Sequence, residues 1–157
     1  VIIPRTTDID WLHQSVELLT SGRYRHRREG KTVAYMSLLA GEVELGGPQN
    51  TYLYIGETTN FTDQVRSTFH RMAVRMTRPG AITRHTQNLV FVNEQQYFFY
   101  SIHQLIENPT VLRTLSIDRI FFDVDDSTQD KLDSGGKLSA LFQQLLPQLA
   151  YRRGDVI

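Results

Sequence analysis

Residues 25–32 read RHRREGKT, and the reading of that stretch decides the fold. Its end, Gly30-Lys31-Thr32, has the form of a phosphate-binding loop where it runs into a helix. A glycine there lets the backbone approach an anion, and the first N–H groups of the helix point at it. Downstream, Val33, Met36, Leu39, Ala40 and Val43 follow at helical spacing and are ended by Gly46-Gly47 and Pro48. Upstream the match is poorer. The full pattern carries a glycine where this chain has Arg25, and the preceding RYRH is too polar for a strand buried on both faces. The same residues also read as a helix N-terminus with a glycine and a solvated lysine.

Outward from that stretch, helix and strand signals alternate. TYLYIG (51–56) is a short strand of the buried type, and Thr59 or Asn60 is placed to cap a helix with inner face Phe61, Val65, Phe69, Met72 and Met76. NLVFVNEQQYFFYSI (88–102) reads as a hairpin about a polar turn. HQLIENPTVLRTL (103–115), broken by Pro109, supports a helical turn and a loop. IDRIFF (117–122) is a buried strand running into DVDD, and beyond DSGG an amphipathic helix carries Leu138, Leu141, Phe142, Leu145 and Leu149, with a kink expected at Pro147. GDVI at the end begins something extended, and Ile9, Leu12, Val16 and Leu19 predict a first helix capped by Thr7 or Asp8. The alternation predicts an α/β sheet layered by helices. Such open sheets bind ligands beyond the carboxyl ends of their strands, where Glu57-Thr58-Thr59 and Asp123 fall.

The bulk numbers fit one globular domain over 1–157: 157 residues, 40% hydrophobic and 22% charged. Seventeen basic and seventeen acidic residues cancel, so no net field draws the chain to nucleic acid or membrane. Their distribution is uneven. Arg23, Arg25, Arg27, Arg28 and Lys31 crowd one segment; Asp118, Asp123, Asp125, Asp126, Asp130 and Asp133 crowd another. Those are the two halves a nucleotide–magnesium site needs, or two solvated surfaces. No cysteine is present, which excludes disulfides and thiolate metal sites and fits a reducing compartment. No apolar run approaches the roughly 18 residues of a membrane span, and no signal peptide is visible. A chain that starts at Val1 and stops inside a strand-like run reads as a piece of a longer protein.

RREGKT, a helix, YLYIGETTNFTDQV, the hairpin and DRIFFDVDD, taken in order, resemble the ATPase domain of viral DNA-packaging motors, the large terminase family. The resemblance covers roughly residues 20–157 and implies a P-loop NTPase-like sheet of the RecA/ASCE type with flanking helices, possibly truncated. It implies ATP and Mg2+ as cofactors, double-stranded DNA as partner, a homo-oligomeric ring or other motor subunits, no membrane, and a location in the cytoplasm or nucleus of a host cell. Carried over by residue, Gly30, Lys31 and Thr32 bind the phosphates, and Thr32 with Asp123 binds magnesium. Arg27 or Arg28 stabilises charge on the γ-phosphate. The family places a glutamate after its aspartate to position the attacking water; this chain has Val124, leaving Asp125 or Asp126 as substitutes.

Two other readings stand beside the ATPase. One is a docking domain with a degenerate nucleotide site, its basic segment and Tyr24 meeting acidic protein or nucleic-acid phosphate. The other is a GIY-YIG-like nuclease, for which YIG (54–56), Gln64 or Arg66 and Glu107 would serve, although no GIY strand precedes them. His13, His26, His70, His85 and His103 show no metal-ligand spacing, and Trp11 reads as a packing anchor. No serine stands in a nucleophile elbow.

Overall fold

The computed structural model describes residues 28–47, 49–111, 115–150 and 155–156. The expectations for the helix near residue 9, for RYRH and for Arg27 lie outside those residues.

Eleven elements are described, in the order α1 (Arg28–Leu45), β1 (Thr51–Gly56), α2 (Thr59–Met76), β2 (Ile82–His85), β3 (Leu89–Val92), β4 (Gln95–Ser101), α3 (Ile102–Glu107), β5 (Arg119–Asp123), α4 (Asp126–Ser134), α5 (Lys137–Ala150) and β6 (Asp155–Val156). The strands form one mixed sheet in the order β2-β3-β4-β1-β5-β6. β1 runs parallel to both neighbours, β4 and β5, and β6 runs parallel to β5; β2 and β3 pair antiparallel at the other edge. The chain is thus the α/β sheet with flanking helices that the alternation predicts.

Strands β1 and β5 read as unbroken apolar runs because both faces of the sheet are covered. Every residue of β1 is buried. Its side chains alternate: Tyr52 and Tyr54 join Tyr35, Leu39 and Val43 of α1 and Val65 and Phe69 of α2 on one face. Leu53 and Ile55 join Ile102 and Leu105 of α3, Leu132 of α4 and Leu138, Leu141 and Leu145 of α5 on the other. The same alternation sends Phe121 to the first face and Ile120 and Phe122 to the second. On the first face α1 is pinned twice, by the Tyr35 hydroxyl donating to the Phe122 carbonyl at 3.0 Å and by the Tyr52 hydroxyl donating to Glu42 at 2.7 Å. Arg119 closes on Glu42 at 2.5 Å, completing a polar clasp at the amino end of the sheet. Burial, then the bond to Glu42, pushes the Tyr52 hydroxyl well above the ordinary phenol range.

The hairpin forms as expected, with Val92 opposite Gln95 and Asn93 and Glu94 as a two-residue turn at φ 52° and 64°, the left-handed pair that matches strand twist. Four differences from the sequence expectation are instructive. Helix α1 already includes Arg28, Glu29 and Gly30, so it does not begin at Lys31. The cap of α2 is Thr58, whose hydroxyl accepts from the Phe61 N–H at 3.1 Å, and not Thr59 or Asn60. Strand β2 escapes the periodicity because ITRH is a short, largely exposed edge. Helix α4 escapes it because DSTQDKLDS offers only Leu132 to the core, too little for an apolar stripe. Among the described residues, no helix is long and apolar enough to cross a membrane.

Candidate functional site

Parallel pairing brings the carboxyl ends of three strands into one row. Gly56 of β1 is the register partner of both Ser101 of β4 and Asp123 of β5. Beyond that row the chain turns into helices. Ser101 caps α3 through a capping box, its hydroxyl accepting from the Gln104 N–H at 3.1 Å while Gln104 Oε1 accepts from the Ser101 N–H at 2.9 Å. Thr59 and Ser101 hydroxyls lie 3.3 Å apart and tie the β1 and β4 ends together. Gly56 is required here by close approach: a Cβ on it would collide with the Thr62 hydroxyl, which itself donates to the Thr58 carbonyl at 2.7 Å. The glycine lets α2 start hard against the strand end.

Into this row α1 brings Thr32. Its hydroxyl donates to Asp123 Oδ2 at 2.7 Å, across 91 positions of sequence. Asp123 is only 3% exposed, and the same oxygen accepts from the Tyr54 hydroxyl of the neighbouring strand. A buried carboxylate needs such donors, because unpaired it would be expensive to desolvate. The two residues that the sequence singles out for magnesium therefore meet, and they offer hard oxygens of the kind that Mg2+ prefers. Tyr54 is the partner that sequence reasoning missed. Among the described residues, no three His, Cys, Asp or Glu side chains group to hold a metal by themselves. Mg2+ commonly takes one or two protein oxygens and completes its shell with phosphates and water.

Gly30 and Lys31 are helical residues of α1, so a turn wrapping a phosphate would have to lie before Arg28, outside the described residues. Arg28 opens the described part of the same helix. On the acidic side, Val124 is fully buried in the apolar cluster beneath α4 and α5. Asp125 precedes α4 and caps it: its Oδ1 accepts from the Thr128 N–H at 3.0 Å and the Ser127 hydroxyl at 2.8 Å. Asp126 is the first residue of α4. Partial burial works to raise the Asp125 carboxyl, but the bonds from Thr128, Ser127 and Glu57 outweigh it and hold the group down at about 2. So low a value makes Asp125 a weak proton acceptor at neutral pH.

Asp125→Ala is expected to destabilise the domain by about 1 kcal/mol at neutral pH, the usual effect of losing an N-cap, read as a shift in the urea midpoint. A carboxyl depressed in the folded state contributes stability above its unfolded value near 4, which is lost as pH falls through its folded value of about 2. The midpoints of wild type and variant should therefore converge as pH falls from 4 towards 2.

Residues invoked for a nuclease do not gather at this row. Arg66 bonds the His85 ring, which stacks on His70 at 3.8 Å, and Glu107 ends α3. Burial, His70 and Arg66 together lower the His85 pKa from its ordinary value. Both neighbours of β1, the YIG strand, lie later in the chain. Comparisons of the chain with family models, curated proteins and solved structures return no match.

Proposed function

We propose that the domain binds ATP with magnesium as a P-loop ATPase module of a DNA-packaging motor or a related nucleic-acid-dependent ATPase. The observation that carries the reading is the Thr32–Asp123 bond at the carboxyl edge of the sheet. A threonine following Gly-Lys at a helix start, and an aspartate ending a buried strand, are the two protein oxygens that such a site offers magnesium. Element order supports it further: a helix, a strand, a helix, a hairpin, the aspartate strand and then a parallel neighbour. In this reading the helical N–H groups near Gly30 and the Lys31 ammonium take the phosphates, while Arg27 or Arg28 neutralises charge on the γ-phosphate. Thr32 and Asp123 would hold magnesium, which neutralises phosphate charge when bound. Tyr54 fixes the aspartate by donating to the oxygen that Thr32 shares.

Double-stranded DNA is the partner this reading implies. Between residues 59 and 87 stand Arg66, Arg71, Arg75, Arg78 and Arg84 against the single acid Asp63, a local excess in a chain of zero net charge. Arg71, Arg75 and Arg78 are exposed, suited to salt-sensitive contact with phosphates. ATP with magnesium should raise the melting temperature, and Lys31→Ala should abolish the rise. Absence of any rise at millimolar ATP would overturn the nucleotide reading.

The second reading, a docking domain with a degenerate site, is favoured by two observations: Gly30 and Lys31 are already helical, and Val124 is buried where a water-positioning acid is expected. It predicts partner binding that falls with salt and ignores ATP.

A further inference from the structure

At the junction of α2 and β2 lies a basic cluster that the candidate nucleotide site does not use. Arg66 and His70 stand one turn apart on α2, and His85 ends the edge strand β2. The His70 and His85 rings stack with centroids 3.8 Å apart and planes 14° from parallel. The Arg66 guanidinium bonds Nε2 of His85. A guanidinium can only donate, so Nε2 accepts, and His85 is neutral with its proton on Nδ1. Partial burial, then His70 and Arg66, disfavour the charged form of that ring. Arg84 precedes His85 on β2, and β3, the other element against β2, brings only the apolar Leu-Val-Phe-Val. Asp63, the one acid of α2, stands a turn before Arg66 and does not pair with it. Among the described residues neither Arg66 nor Arg84 forms an ion pair, nor do Arg71, Arg75 and Arg78. Arg66 Nε is also buried with no acceptor. The cluster holds donors and positive charge in excess, and what it lacks is an anion.

Resting on the reading that this face meets DNA, and not on ATP turnover, we propose that Arg66, His70 and His85 form a seat for a DNA phosphate whose occupation takes up a proton. In the free domain a charge on His85 meets only like charge from Arg66 and Arg84, so the ring stays neutral at neutral pH. A phosphodiester reverses that balance. Its oxygens accept from the Arg66 guanidinium, which leaves His85 Nε2 to take a proton from solvent and donate to the same phosphate. One bond, from Arg66 to His85, is exchanged for two charge-assisted ones. His70 keeps the His85 ring in plane by stacking on it. Arg71 and Arg75 of α2 and Arg78 just beyond its end continue the positive charge, which a polyanion meets along its length and a single small anion does not.

Fluorescence anisotropy of a labelled short duplex with the full chain, at constant ionic strength, reads the seat. Wild-type affinity should rise about tenfold between pH 8 and pH 5.5, the effect of one linked proton. His85→Gln keeps an acceptor for Arg66 but cannot become charged. It should bind within about threefold of wild type at pH 8, gain less than about threefold at pH 5.5, and melt at the wild-type temperature. Lowering the pH should also steepen the wild-type salt dependence by about one phosphate contact, and that of the variant not at all. His85→Gln that keeps the full tenfold rise would overturn the seat and leave DNA contact standing. So would a wild-type affinity that ignores pH. Inorganic phosphate that displaces the duplex at low millimolar concentration, ionic strength held fixed, would make this a site for a free anion and sink the DNA assignment. A wild-type chain that binds no duplex at any pH would remove the DNA reading itself, and the seat with it.

Discussion

Asp123→Asn is expected to remove the magnesium-dependent response to ATP while leaving the unliganded domain folded. The carboxylate sits at 3% exposure with Thr32 and Tyr54 hydroxyls on one oxygen. An asparagine oxygen can accept the same two hydroxyls, so the local hydrogen bonds survive with neutral charge. Magnesium loses its one anionic protein ligand in this reading, and affinity for the magnesium–nucleotide complex should drop more than 100-fold, beyond the effect typical of outer-shell changes. A ligand at a hundred times its Kd adds about 2.7 kcal/mol of stability, which in a domain of this size raises Tm by about 5–10 °C. The wild type should show that rise and Asp123→Asn less than about a sixth of it under the same conditions. Should the variant keep the full rise, Asp123 is a structural acceptor for Thr32 and Tyr54 and the metal assignment falls. Because the unliganded Tm is measured in the same scan, collapse of the fold cannot imitate loss of the ligand.

The parts legible in the sequence are those where burial writes a pattern. TYLYIG and RIFF announce buried strands because helices cover both of their faces, and the α2 stripe through Val65 and Phe69 announces a helix lying on one. Thr32 and Asp123 were legible as a pair through motif order alone, and the fold places them 2.7 Å apart. What stayed hidden is long-range or weakly apolar. Helix α4 rests on its cap at Asp125 and one leucine, signals too slight to separate from a polar turn. The role of Tyr54 was hidden because its ring is core and only its hydroxyl reaches Asp123. A usable signal did exist: Tyr35, Tyr52, Tyr54 and Tyr97 stand where phenylalanine would pack as well, and each spends its hydroxyl on a named partner. Glu57 was visible as a residue at a strand end. Its alignment with Asp123 depends on register, which a single sequence does not carry.

Phe69→Ala should be the most damaging single substitution on the α1/α2 face. The ring is fully buried and lies 4.6 Å from Tyr97 and 5.5 Å from Phe99, centre to centre. Removing it leaves a cavity against two aromatic rings that are themselves held in strand β4, so the site cannot easily collapse. The expected loss is about 3–5 kcal/mol by chemical denaturation, with Tm lower by about 10 °C or more. Val74, on the same helix but 54% exposed, provides the comparison: Val74→Ala should change stability by less than about 0.5 kcal/mol. Equal effects at the two positions would mean that α2 does not pack on the sheet through Phe69. The consequence extends to the candidate site, because α2 begins two residues after Glu57 and its cap, Thr58, lies between them. A helix loosened at Phe69 should free that end, so nucleotide-dependent stabilisation in Phe69→Ala should weaken even where the domain is still folded. Asp123→Asn should make the opposite split, losing the ligand response without losing the fold, and the two variants together separate what holds the sheet from what its edge is proposed to bind.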